Sequence, residues 1–212
     1  MHRLAPTEAA SQFGVFTAQQ AYRAGWSTSA LNGAVVTGRL ICLRRATFVM
    51  AGDESGSAAE HHHGAARTRL GQLGVAAALR IPRATISHSS AAALHGLALL
   101  RTPSRPCITL PPVIRTRPAE LHVHRARLSA SDVVEHSSVT VTSTPRTCID
   151  VTREFGLTAG VVTTDDALRR GLTTMDALRE VYSTLRGRAG LSSGRELLMT
   201  AEWVQRIAAG VN

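Results

Sequence analysis

FTAQQAYRAGWSTSALNGAVVTGRLICLRRATFVMAG, residues 16–52, reads as two short helices, a turn between them and a hairpin. Thr17 is placed to cap a helix over 18–24, anchored by Phe16 and Tyr22 and ended by Gly25 at a left-handed position. Ser27 or Thr28 opens a second helix that Gly38 closes. At about 100° per residue, Ala30, Leu31, Ala34, Val35 and Gly38 share the stripe that packs inward. Thr28, Ser29, Asn32, Gly33 and Val36 are left outside. An asparagine there suits an adenine edge in a major groove, and a valine suits a thymine methyl. The runs 40–43 and 47–50 are β-prone and flank Arg44-Arg45-Ala46, so a hairpin carries two arginines at its tip. The expectation is a winged helix-turn-helix in which Arg39, Arg44 and Arg45 meet phosphates or a minor groove of duplex DNA.

Charge points the same way. All 24 basic side chains of this 212-residue chain are arginine, which excludes a Walker-A phosphate loop and any Schiff-base lysine on residue type alone. Residues 1–52 carry five arginines against Glu8, residues 53–147 carry eleven against six acids, and residues 148–212 balance eight against eight. A surface facing a polyanion therefore belongs to the first two thirds. Arg101, Arg105, Arg115, Arg117, Arg125 and Arg127 form a basic run broken by Glu120 only, suited to DNA or to an acidic protein. Gly52-Asp53-Glu54-Ser55-Gly56-Ser57 is polar and Gly/Ser-rich, the composition of a linker, and divides the chain into domains 1–52 and 53–212. No apolar run approaches the ~20 residues of a membrane span and the N-terminus has no cleavable leader pattern, so the expected location is cytoplasmic. Cys42, Cys107 and Cys148 are odd in number and far apart, which fits reduced, buried thiols.

Beyond the linker, Ser57 and Glu60 form a capping box for a helix ending near Arg80, and residues 89–94 form a shorter one closed by Gly96. β-prone runs follow at 106–110, 120–125 and 139–142. Thr144-Pro145 starts a helix with Cys148, Ile149, Thr152 and Phe155 inside; another ends at Arg170 before Gly171, and Thr173 opens a third. Ser193 and Glu196 box the last helix, where Leu197, Ala201, Val204 and Ala208 make one apolar stripe. Met199, Trp203 and Ile207 make a second, a surface for a partner protein. The fold class expected is α+β and mostly helical: the winged head, then a mixed α/β domain with a small sheet and a C-terminal helical layer.

The histidines do not assemble a catalytic site by sequence. His61, His62 and His63 follow one another on a helix, so their rings diverge. His122 and His124 share one strand face at ligand spacing, but no third ligand is identifiable, and no nucleophile has a recognisable base. The chain reads as a binder, with no catalytic residue, cofactor or metal.

The pattern resembles AbiEi-type antitoxins of type IV toxin–antitoxin systems. The residues that carry the resemblance are Gly38-Arg39-Leu40, Leu43-Arg44-Arg45 and Phe48 in the hairpin. They continue through residues 86–97 (ISHSSAAALHGL), 141–150 (VTSTPRTCID) and 166–171 (DALRRG). The resemblance implies an antitoxin that represses its own promoter through the head and counters a nucleotidyltransferase toxin through the second domain. The reading helix of such relatives usually carries arginine, whereas STSALNGAVVTG has none. Longer relatives append a nuclease-like domain, and no hydrolytic role is carried over from them. Two alternatives stand beside this: a stand-alone transcription regulator whose second domain dimerises or senses a ligand, and a targeting module of a lost nuclease.

Overall fold

The computed structural model describes residues 4–51, 58–115, 118–136, 138–185 and 191–208; the side chains of 58–63, 191–192 and 203–208 are outside the description. The linker 52–57, with the proposed cap Ser57, lies outside the described residues.

The first 51 residues run α1 (Glu8–Ser11), β1 (Val15–Thr17), α2 (Ala18–Arg23), α3 (Thr28–Val36), β2 (Leu40–Arg44) and β3 (Thr47–Met50). Thr17 caps α2 in a complete capping box: its hydroxyl accepts from Gln20 N at 3.2 Å, and Gln20 Oε1 accepts from Thr17 N at 2.8 Å. Gly25 (φ +83°) ends that helix, and Ser27 caps α3 by accepting from Ala30 N at 3.1 Å. The strands form an antiparallel sheet in the order β1-β3-β2, with Phe16 opposite Phe48 and Ile41 opposite Val49. Beneath them Phe16, Ala21, Trp26, Leu31, Ala34 and Leu40 form a closed core.

The long helix α4 (Ala58–Ala78) follows, then β4 (Thr85–Ile86), α5 (His88–Leu94), β5 (Cys107–Leu110), β6 (His122–Arg125), a 3₁₀ turn at Ala130–Asp132, β7 (Val133–His136) and β8 (Val139–Thr142). These strands make one mixed sheet in the order β6-β5-β4-β8-β7. β4 pairs antiparallel with β5 and parallel with β8, and β5 and β6 run parallel with Cys107 beside His122. Three strands were expected; five form among the described residues. β4 is two residues long and β7 reads VVEH with half its positions exposed, so neither carries a period long enough to recognise.

Four helices complete the chain: α6 (Thr144–Phe155), α7 (Leu157–Arg169), α8 (Met175–Thr184) and α9 (Leu191–Ala208). Caps fall one residue from the expected places, at Ser143 for α6 and at Thr174 for α8. α9 begins before Ser193, so the supposed box lies inside its first turn. Around α6, the side chains of Leu97, Cys148, Ile149, Val151, Ala167, Leu178, Leu185 and Leu197 make the largest core cluster. About half of the chain is helical, so α+β describes it better than mostly helical.

α4 lies between the two sheets. Its Val75 and Ala76 share one apolar cluster with Val15, Leu43 and Val49 of the first sheet and with Ile86, Ala91, Val139 and Val141 of the body. It meets α5 closely because Gly71 and Gly74 face it: a β-carbon on Gly71 would come within 2.8 Å of Leu94, and one on Gly74 within 3.1 Å of Ser90.

Candidate nucleic-acid interface

α3 turns Leu31 and Ala34 into the head core, which leaves Thr28, Ser29, Asn32, Gly33 and Val36 on the opposite side. All five are exposed, and Val36 shows 86% of its surface. A valine exposed to that degree is not packed by any of the described residues. Tyr22 of α2 borders the face, its hydroxyl 3.3 Å from Thr28 Oγ1. At the other end Thr37 donates back to Gly33 O at 2.8 Å and accepts from Arg39 Nε at 3.2 Å, so Arg39 is held beside the end of α3.

The hairpin is short. Ala46 at its turn is left-handed (φ +58°), and its carbonyl accepts from Ala18 N at 2.9 Å, which fastens the tip to the start of α2. The two tip arginines differ. Arg45 is exposed. Arg44 is mostly covered, 18% exposed at the side chain, and its guanidinium donates to Glu120 Oε1 at 2.8 Å. A local backbone hydrogen bond first, and then the charge of Arg44, hold the Glu120 carboxyl below its usual range. With Glu120 largely open to solvent the pair is weak, so it positions Arg44 without removing it from competition by a phosphate. Sequence reasoning missed Glu120 because its partner is distant in the chain.

The second-domain calls fare differently. Met199 is 61% exposed, whereas Leu197 and Ala201 of the same helix are buried, so α9 does present an outer side at Met199. The side chains of Trp203 and Ile207 lie outside the described residues. Arg101, Arg105, Arg115 and Arg127 are exposed, and Arg117 lies outside the described residues.

Two buried polar groups organise the body. Arg146 is 2% exposed and bridges Asp132 (3.1 Å) and Asp150 (2.9 Å), tying α6 to the 3₁₀ turn before β7. Burial pushes the Asp150 carboxyl up although Arg146 opposes it, while hydrogen bonds from Ser129 and the charge of Arg146 hold Asp132 down. The other group gathers His88, His122, His124 and Glu154. His122 Nδ1 lies 2.9 Å from Glu154 Oε1, and His124 Nε2 lies 3.5 Å from Oε2. Burial is the largest cause that drives both His88 and His124 down to about 3, followed by Arg146 and Arg153 at His88 and by the neighbouring imidazoles at His124, so both rings are neutral at physiological pH. Burial raises Glu154 and lifts the Cys107 thiol beside them to about 11. The third and fourth members were invisible by sequence, since residues 88 and 154 reach β6 only through the sheet order and the placement of α6.

No family model matches the chain, and no curated protein matches it. Among solved structures, the Rv2827c protein from Mycobacterium tuberculosis superposes over 94% of this chain and 79% of its own, with a TM-score of 0.47 and 16% identity. That degree of likeness supports no functional argument.

Proposed function

We propose that the first 51 residues are a winged helix-turn-helix that binds duplex DNA, and that the chain is an antitoxin and autorepressor of the AbiEi type. α2, the Gly25 turn and α3 form the helix-turn-helix, and β2 and β3 form a short wing. The observation that carries the reading is the outer face of α3: Thr28, Ser29, Asn32, Gly33 and Val36 are all exposed and covered by no other described part of the chain. Their size and chemistry suit a major groove, and the arginine excess of residues 1–52 suits its flanking phosphates. Asn32 and Val36 read base edges, and Arg39 and Arg45 position the head on the backbone.

The body is the part that counters the toxin, a nucleotidyltransferase, with the exposed side of α9 around Met199 as a contact surface; DNA binding has the stronger support. A regulator without a toxin is the alternative, distinguished by the neighbouring open reading frame and by co-expression.

The test is a gel-shift titration on the chain's own promoter and on unrelated duplex. Asn32→Ala lowers promoter affinity by about 1–3 kcal/mol and leaves unrelated duplex unchanged. Arg45→Ala weakens both equally and reduces the slope of log affinity against log salt by about 1. Asn32→Ala with promoter preference intact overturns the base-reading role, and no shift on any duplex overturns the DNA-binding function.

A further inference from the structure

The body holds a second site, independent of the DNA reading, where β6, the β4–α5 junction and α6 converge. His122 and His124 are alternate residues of the edge strand β6 and therefore share a face. His88 opens α5 immediately after β4, and Glu154 lies in the last turn of α6. The ligand atoms of His88, His124 and Glu154 all lie within 4.8 Å of one another. Donors around a tetrahedral zinc, with bonds of about 2.0–2.2 Å, stand roughly 3.4 Å apart, so gathering these three takes shifts of about an ångström.

Three features mark the cluster as more than a polar strand face. His88 and His124 stack face to face, centroids 3.5 Å apart and planes 13° from parallel, the arrangement that ring quadrupoles favour least. His124 Nε2 is buried with no hydrogen-bond partner; Glu154 Oε2, 3.5 Å away, is not placed to accept from it. His88 is held at φ +51°, in the left-handed region that a residue with a β-carbon enters only at a cost. The local charge also leaves room for a cation: Arg146 and Arg153 stand against Asp132, Asp150 and Glu154.

We infer that His88, His124 and Glu154 bind a zinc ion or another late first-row divalent cation, with His122 holding the Glu154 carboxylate in place. Two imidazoles and one carboxylate are a donor set that zinc accepts, with a fourth position left to solvent. The half-exposed His122 marks the side from which solvent enters. Binding requires the stacked rings to swing about χ2, a broad torsion, which turns a buried lone pair from each toward the ion. Cys107 lies close enough to His122 and His124 to form a rival set, but its sulfur is 3.4 Å from Ser89 Oγ and engaged there. The ion would fasten the edge strand β6 to α5 and α6.

The full chain, stripped with a chelator, is titrated with zinc by calorimetry and with cobalt by absorption. The expected result is one ion per chain, the visible bands of tetrahedral cobalt, and a melting temperature that rises with zinc. His124→Ala loses more than about 100-fold in affinity, above the loss typical of a group that only supports a ligand. The near-isosteric Glu154→Gln loses affinity while its apo melt and circular dichroism stay those of the parent, and it decides the matter if His124→Ala does not fold. A variant with His61, His62 and His63 all changed to Ala keeps the site. Zinc binding that disappears in that triple variant, that survives Glu154→Gln undiminished, or that is never saturable overturns the proposal. A near-ultraviolet thiolate-to-cobalt band overturns the assigned donors in favour of Cys107.

Discussion

Arg44 and Arg45 are neighbours in the chain with different circumstances: one is paired to Glu120 and covered, the other faces solvent. A duplex that recruits Arg44 must first displace a carboxylate from it, and that carboxylate also repels phosphate. Glu120→Gln removes both effects. Tighter binding to all duplexes at low salt, with the gain vanishing at high salt, is expected in a fluorescence-anisotropy titration. Unchanged affinity would place Arg44 away from the nucleic acid. His88 and His124 are the other instructive pair. Each binds no proton in the folded chain until about pH 3, whereas an unfolded histidine binds one near 6.5. Unfolding therefore takes up protons on the acid side of 6.5, and stability must fall as the pH drops, by up to about 1.4 kcal/mol per unit for each ring. Urea midpoints between about pH 7 and 5.5, above the range where solvent-exposed carboxylates protonate, measure that slope, and His124→Ala reduces it. A flat profile would show that both rings charge inside the fold.

Among the elements, α6 and α7 pack most intimately. A methyl group on Gly160 of α7 would land on Thr152 Oγ1 and within 2.7 Å of Thr152 Cβ, and that hydroxyl is already committed to Cys148 O at 2.8 Å. Gly160→Ala is expected to destabilise by about 1–3 kcal/mol despite the better helix propensity of alanine, as read from thermal melts. Thr152→Ala in the same chain should recover part of the loss. The pair shows what kind of information the sequence holds. Capped helices with glycine stops, such as α2 and α3, and the β2–β3 hairpin are written in consecutive residues and were legible to within a residue or so. β1, β4 and β7 were not, since strands this short or this mixed acquire meaning only from their neighbours in a sheet. The outer face of α3 follows from a helical period. The His88 and Glu154 partners of His124 follow from a parallel β5–β6 register and from a helix whose last turn reaches the edge strand, which no local pattern encodes. The same holds for Glu120 at the wing.

For the whole molecule the decisive feature is where the apolar clusters fall. The punctuation at residues 52–57 suggests two bodies on a tether, yet Val15, Leu43 and Val49 share one buried cluster with α4 and with β4 and β8 of the body. Phe13 stacks edge-on against His136 at 5.3 Å, and Gln12 hydrogen-bonds Ser138, so the seam is polar at its margin as well as apolar within. A head cemented in this way cannot swivel like a key on a cord. If the head binds DNA and α9 a partner as proposed, the seam holds that partner to the double helix at one fixed bearing, and two copies straddling a palindrome would have to meet through surfaces whose angle it has already chosen.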